Sequence, residues 1–207
     1  MMPSRLGPSH LDPFRLGLTG SIGMGKSTTA GFFAAAGCPV WDADAAVRRL
    51  YAPGGAAVAP VGAWLPGAIV NGAVDRGILK QEIARNPQAL ARIEHMVHPL
   101  LGADRGQFTR QATGDILVFD IPLLFENALA ADMDATLLVT APPALQRARV
   151  LARPGMTEAM FDTLLARQMP DAQKRSLATH IIETLGLDAA EQAVLALITY
   201  IRGLRHA

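Results

Sequence analysis

At 207 residues the chain is long enough for one α/β domain carrying an inserted or appended subdomain. Half of its residues are hydrophobic and 18% are charged, which excludes a disordered chain; a formal net charge of +1 is too small to imply a nucleic-acid or membrane partner by bulk electrostatics. The single cysteine, Cys38, excludes a disulfide framework and a Cys-rich zinc site and fits a reducing compartment, and no apolar run reaches the roughly 20 residues that a membrane-spanning helix needs.

Met1 to Pro13 holds three prolines and no apolar core, so residues 1–13 read as a flexible N-terminal extension and not as a secretory signal. Phe14 to Leu18 is an apolar run leading into glycines, the pattern of a buried strand. A helix is expected from Ser27 to Ala36, stopping at Gly37, then a short strand at Val40 and Trp41, and a helix from Ala45 to Tyr51. Pro53, Gly54 and Gly55 break the chain. From there to about Ala112 no strand pair is expected, only helices over Ile78–Asn86 and Pro87–Val97 and another after Pro99. Strands follow at Ile116–Phe119, Thr136–Val139 and His180–Ile182, separated by helices over Ala144–Ala152 and Thr157–Gln168 and closed by a helix over Asp188–Arg205. Strands alternating with helices imply an α/β fold with a parallel sheet flanked by helices. The strand-poor middle reads as a helical insertion.

The first strand-to-helix turn carries the strongest chemistry. Gly20-Ser21-Ile22-Gly23-Met24-Gly25-Lys26-Ser27 satisfies the Walker A pattern G-x-x-x-x-G-K-[ST] in full. Glycines let the backbone wrap a phosphate, successive N–H groups form an anion nest, and the following helix adds its positive end. Lys26 supplies a point charge to the β/γ-phosphates of ATP, and the Ser27 hydroxyl is a ligand for Mg²⁺. A chance match of the four fixed positions has odds on the order of one in a hundred for a chain this long, and the match lies between an expected strand and an expected helix.

The rest of the sequence narrows the class. The Asn-Lys-x-Asp guanine signature of GTPases is absent. Asp120 ends an apolar strand, where a Walker B carboxylate sits, but Ile121 and Pro122 follow it instead of the glutamate of a motor ATPase. A small-molecule kinase is favoured over a switch or a motor.

Asp42-Ala43-Asp44 lies beyond the second strand, at the end of the sheet where ligands collect. Asp44 there can polarise a hydroxyl nucleophile, and Asp42 or Asp120 can reach Mg²⁺ through water; the alternative is that Asp42 or Asp44 caps the helix that follows. Arg147, Arg149, Arg153, Arg167, Lys174 and Arg175 form a basic run in which Arg149 and Arg153 are candidates for a phosphate-clamping lid, while Arg147 reads as a solvated face. Cys38 reads as a small buried residue, and Trp41 and Trp64 as core residues, Trp64 with the alternative of lining a ligand groove.

Several of these segments, in order, resemble the dephospho-coenzyme A kinase family: Leu18 to Thr28, Asp42-Ala43-Asp44, Asp75 to Leu79, His98-Pro99-Leu100, Asp120 to Glu126, and Gln146 through Arg149 and Arg153 to Arg167-Gln168 and Lys174. The resemblance implies a P-loop NTPase fold like that of nucleoside monophosphate kinases, with a five-stranded parallel core, a helical substrate-binding insertion and a lid. It implies transfer of the γ-phosphoryl of ATP to the ribose 3′-hydroxyl of dephospho-coenzyme A, the last step of coenzyme A synthesis. Carried over by position, Asp44 matches the base, with Lys26, Arg149 and Arg153 also placed in catalysis. Gly20, Ser21, Ile22, Gly23, Met24, Gly25, Lys26, Ser27 and Thr28 match the ATP-binding stretch. Thr19, Asp44, Arg76, His98, Leu123 and Glu126 fall on the substrate side. The implied layout is a nucleotide-binding core over 14–44 and 113–207, a lid over about 147–170, and the insertion over 45–112, whose Trp64, Leu65, Ile69, Ile78, Leu79 and Ile83 are expected to wall a groove for the pantetheine arm. The partners expected are ATP and dephospho-coenzyme A, with no nucleic acid or membrane, in a cytoplasmic monomer or weak oligomer. Two departures stand out: Ser21 where many relatives have glycine, and Ile182-Glu183-Thr184-Leu185-Gly186 where many have an asparagine close to the adenine. Another small-molecule kinase, of a nucleotide or a shikimate-like alcohol, and a non-catalytic nucleotide-binding module are the competing readings.

Overall fold

The computed structural model describes residues 12–205, so most of the expected N-terminal extension lies outside the described residues. In chain order, β1 (Phe14–Thr19) leads through the glycine-rich turn into α1 (Lys26–Ala35), and β2 (Val40–Asp42) into α2 (Ala43–Tyr51). Next come α3 (Val58–Trp64), the short strands β3 (Ile69–Val70) and β4 (Ala73–Val74), and the helices α4 (Arg76–Arg85) and α5 (Gln88–Gln111). The second half runs β5 (Ile116–Asp120), β6 (Ala135–Thr140), α6 (Pro143–Leu151), α7 (Glu158–Ala166), α8 (Asp171–Leu177), β7 (His180–Glu183) and α9 (Leu187–Arg205).

Five strands form one parallel sheet in the order β2-β5-β1-β6-β7. Its central strand β1 is buried from Leu16 to Thr19, as a strand covered on both faces must be. The register sets Leu18 against Asp120 of β5 and Thr19 against Leu138 of β6, so the glycine-rich turn leaves the sheet beside the carboxyl ends of both neighbours. That is where an open parallel sheet gathers ligands. Leu16, Leu18, Val118, Leu137 and Val139 of the sheet pack with Phe33 of α1 and Val194, Ile198 and Ile201 of α9 into one core.

The chain divides into two compact units: the described residues up to Val40 together with Thr113 onward, and Trp41–Ala112. The second unit has its own core, built on Leu50, Val61, Leu79, Ile93 and Val97. Asp75 starts α4 as its N-cap, Oδ1 accepting from Gly77 N at 2.7 Å and Ile78 N at 2.9 Å. Within this unit Asp104 of α5 accepts from Trp41 Nε1 at 2.7 Å and from Arg49 Nη2 at 2.6 Å, which holds α2 to α5.

Three expectations are corrected here. The insertion does contain a strand pair: β3 and β4 form a hairpin whose turn residues, Asn71 and Gly72, have φ of 52° and 76°. Strands of two residues carry no readable periodicity, but Asn-Gly is the dipeptide that a two-residue hairpin turn requires. The helices expected on either side of Pro99 are one helix of 24 residues. Proline inside a helix costs about 3 kcal/mol; here Ile93 and Val97 before it and Leu100 and Leu101 after it all pack on the same core, so the helix continues. Finally, α3 and α8 are helices outside those expected, because at seven residues each they are shorter than a helical pattern needs in order to be visible.

Candidate active site

The glycine-rich turn is shaped by its backbone. Gly23 and Gly25 have φ of +78° and +89°, and a Cβ at Gly23 would lie 2.4 Å from Cγ2 of Val150, so neither position accepts an ordinary residue. Gly25 is the N-cap of α1 and brings no side chain to the helix start, while Ser27 and Thr28 stand exposed on its first turn. The loop is clamped from outside. Gln146 Nε2 of α6 donates to Ile22 O at 2.8 Å, and Gln168, between α7 and α8, accepts from Ile22 N at 3.0 Å. Met24 is fixed on both sides, its sulfur taking Ala141 N at 3.0 Å and its carbonyl taking the Thr184 hydroxyl at 2.8 Å. A loop held by four neighbours needs little reorganisation to receive a phosphate chain.

Lys26 lies at the head of α1, and its ammonium pairs with the Asp120 carboxylate at the end of β5. Beside the loop opens a pocket lined by Gly25, Thr28, Arg149, Arg153, Thr184 and Leu187, among others. Arg149 reaches it from α6 with two of its nitrogens fixed: Nη1 donates to Thr184 Oγ1 at 2.9 Å and Nη2 to Thr184 O at 2.6 Å. Arg153 follows α6, exposed, ahead of a turn at Gly155. The rest of the basic run divides by burial. Arg147 pairs with Glu158 and lies 5.8 Å over the Phe161 ring, joining α6 to α7. Arg175 binds Asp171 and Glu183. Lys174 is fully buried, with Nζ 2.9 Å from Glu126 Oε1.

Glu126 Oε1 also accepts from Met169 N at 2.9 Å, so the residue expected on the substrate side is committed to the segment between α7 and α8. Burial alone would raise the Glu126 carboxyl, but Lys174 and the Met169 N–H more than offset it and hold the carboxyl below its usual range. The stability this supplies is present above the unfolded value of about 4.3 and is lost as pH falls through the lower folded value. Glu126→Gln should cost about 3–5 kcal/mol, because it leaves the Lys174 charge buried and uncompensated. Urea unfolding at neutral pH measures this, and a loss under about 1 kcal/mol would show that the pair does not anchor the segment.

Thr19 is buried, and its hydroxyl donates to Pro122 O at 3.0 Å; Leu123, one residue on, is exposed. In the unit Trp41–Ala112, Asp42 Oδ1 accepts from Ala45 N at 2.9 Å and so is the cap of α2, while Asp44 stands exposed in the first turn of that helix. Arg76 begins α4, exposed, and its charge acts on Tyr51. His98 is exposed midway along α5. The residues expected to wall a groove are drawn into this unit's core instead: Leu79 is buried in it, and Trp64, Leu65, Ile69, Ile78 and Ile83 pack against it. Arg92 lies 5.4 Å over the Trp64 ring. Cys38 is buried in the first unit's core, and burial pushes its thiol pKa up, which leaves it unreactive.

Among the described residues no cluster of three or more His, Cys, Asp or Glu is placed to hold a metal ion. The Ser27 hydroxyl and the Asp120 carboxylate are hard oxygen donors near the phosphate loop. They suit Mg²⁺, which keeps water and substrate phosphate as most of its shell and does not need a protein cage.

The family model described as dephospho-CoA kinase matches residues 14–187. The chain is 65% identical over 190 residues to the dephospho-CoA kinase of Cereibacter sphaeroides, covering 92% of this chain and 96% of that protein. Among solved structures, TT1252 of Thermus thermophilus superposes with a TM-score of 0.81 at 32% identity, over 92% of this chain and 98% of the other. The dephospho-CoA kinase of Campylobacter jejuni superposes with a TM-score of 0.63 at 18% identity, over 92% and 98%, a likeness of fold.

Proposed function

Because the chain belongs to the dephospho-CoA kinase family, and is an enzyme that transfers a phosphoryl group from ATP to dephospho-coenzyme A in the last step of coenzyme A synthesis, we propose how its residues divide that work. The observation that carries the reading is the clamped Walker A loop, with Lys26 at the head of α1 paired to Asp120 at the carboxyl end of β5, the strand beside β1. Gly20 to Thr28 take the phosphates of ATP, and Lys26 draws charge from the transferring group, whose transition state is stabilised by position and electrostatics more than by covalent chemistry. Arg149 and Arg153 bind the same phosphates from the pocket's other wall, with the segment over about 147–170 acting as a lid. The Ser27 hydroxyl and the Asp120 carboxylate are the residues that would hold Mg²⁺, which when bound would supply neutralisation of the phosphate charge. Asp42 is left to its capping bond.

Asp44 is the base that takes the proton of the ribose 3′-hydroxyl. Thr19 and Leu123 of the first unit, and Arg76 and His98 of Trp41–Ala112, are assigned to binding the acceptor. Glu126 contributes there through the fold of its loop, since its Oε1 is held by Lys174 and Met169. Trp41–Ala112 is the acceptor-binding insertion, and only the exposed parts of its apolar side chains are available to a pantetheine arm. We place the enzyme in the cytoplasm as a monomer or weak oligomer. Among the described residues, no helix is long and apolar enough to cross a membrane.

Steady-state kinetics with dephospho-coenzyme A, adenosine and adenosine monophosphate tests the assignment. Binding energy from a remote, unreactive arm can orient the reacting group. Dephospho-coenzyme A should therefore exceed adenosine in both turnover and affinity. Equal efficiency for all three acceptors would show that the arm is not read.

A further inference from the structure

We propose that Thr184 is a positioning residue for ATP turnover, its hydroxyl fixing Arg149 at the nucleotide pocket and joining that arginine to the P-loop through the Met24 carbonyl. The inference rests on the reading of this pocket as the ATP site.

Thr184 is 5% exposed, at the end of β7. Its own N–H donates to Thr140 O at 2.8 Å, so its backbone is fixed to the end of β6. A hydroxyl has one proton to give and two lone pairs to offer. Two carbonyls are within reach of that proton, Met24 O at 2.8 Å and Thr140 O at 3.3 Å, and the shorter bond, to Met24, takes it, while a lone pair takes Arg149 Nη1 at 2.9 Å. The Thr184 carbonyl takes Arg149 Nη2 at 2.6 Å. One residue thus holds two nitrogens of the guanidinium in a planar fork, leaving the arginine's other donors to the phosphates. The chain guanidinium, hydroxyl, carbonyl is polarised in one direction, so each bond strengthens the next. Thr184 also abuts the start of α1: a Cβ at Gly25 would lie 3.1 Å from its Oγ1. The Thr184 hydroxyl therefore joins the arginine directly to the phosphate loop, alongside the Gln146–Ile22 bond that ties α6 to the same loop.

If Thr184 only filled space, valine, which has the same shape, would replace it. The variants Thr184→Val, Thr184→Ser, Arg149→Ala, Arg149→Lys and the double Thr184→Val with Arg149→Ala separate the two cases. Thr184→Val should lower kcat/KM for ATP by about 10–100-fold, with KM for dephospho-coenzyme A unchanged. Thr184→Ser, which keeps the hydroxyl, should stay within about threefold of the parent. The double variant should be no worse than Arg149→Ala alone, since residues acting as one unit are not additive. Arg149→Lys keeps the charge but not the fork, and should fall with Arg149→Ala; this arm reads the proposal even if Thr184→Val does not fold. Parent-like kinetics in Thr184→Val or Arg149→Lys, equal losses in the valine and serine variants, or multiplicative losses in the double variant would overturn it. Equilibrium binding of ATP to the unmodified enzyme tests the pocket itself: failure there rejects the site assignment, whereas binding without the predicted pattern rejects the role of Thr184.

Discussion

Lys26→Ala is expected to fold and to lose at least about 10²-fold in turnover. Lys26 is the first residue of α1; in the proposed role its ammonium meets the charge of the transferring phosphoryl group, and a methyl group has nothing that can follow that charge. Because Lys26 pairs with the nearly buried Asp120, the substitution also takes a cation from that carboxylate and should lower the melting temperature. Adding Asp120→Asn should recover part of the melting temperature and none of the turnover. A Lys26→Ala enzyme with near-normal turnover would remove the loop from catalysis.

Asp44→Asn should cut the rate by about 10²–10⁴-fold, the range of a lost general base, while binding of dephospho-coenzyme A changes much less. The sequence allowed either Asp42 or Asp44 to cap α2, and in that case asparagine at 44 would have been nearly silent. The cap is Asp42, so the structure frees Asp44→Asn from that ambiguity. Asp42→Ala becomes the matched control: it should cost about 1 kcal/mol of stability and leave turnover far less affected than Asp44→Asn. Full activity in Asp44→Asn would sink the assignment of the base.

How much of this could be read beforehand depended on how local the signal was. The Walker A loop lies in eight consecutive residues whose types are dictated by backbone geometry, and its glycines stand at the positive φ that the pattern demands. β1, β5 and β6 are long enough to show as apolar runs, while β2 and β7 rest on two apolar residues each, Val40-Trp41 and Ile181-Ile182. Pro99 misled because a local rule was opposed by a non-local one, the shared core on either side of it. Lys174 is a case of the same kind: the sequence places it only in a basic run, and its burial against Glu126, 48 positions earlier, shows an anchor. Gln146, Gln168 and Thr184 were visible as letters, Gln146 and Gln168 within segments of the family resemblance. Their bonds to residues 22 and 24 span more than a hundred residues of chain, so no spacing rule could assign them a task.

The order of strands in the sheet has a consequence for synthesis. β1 is made first, yet both of its partners, β5 and β6, begin about a hundred residues later. At ribosomal speeds of roughly 5–20 residues per second, the strand that carries the phosphate loop waits on the order of five to twenty seconds before any neighbour exists to pair with it. Trp41–Ala112 has no such wait, since its core is drawn entirely from itself. The emerging chain therefore carries an apolar, unpaired β1 ahead of a segment that can already close, and that interval is when it is most exposed to aggregation or most in need of a chaperone.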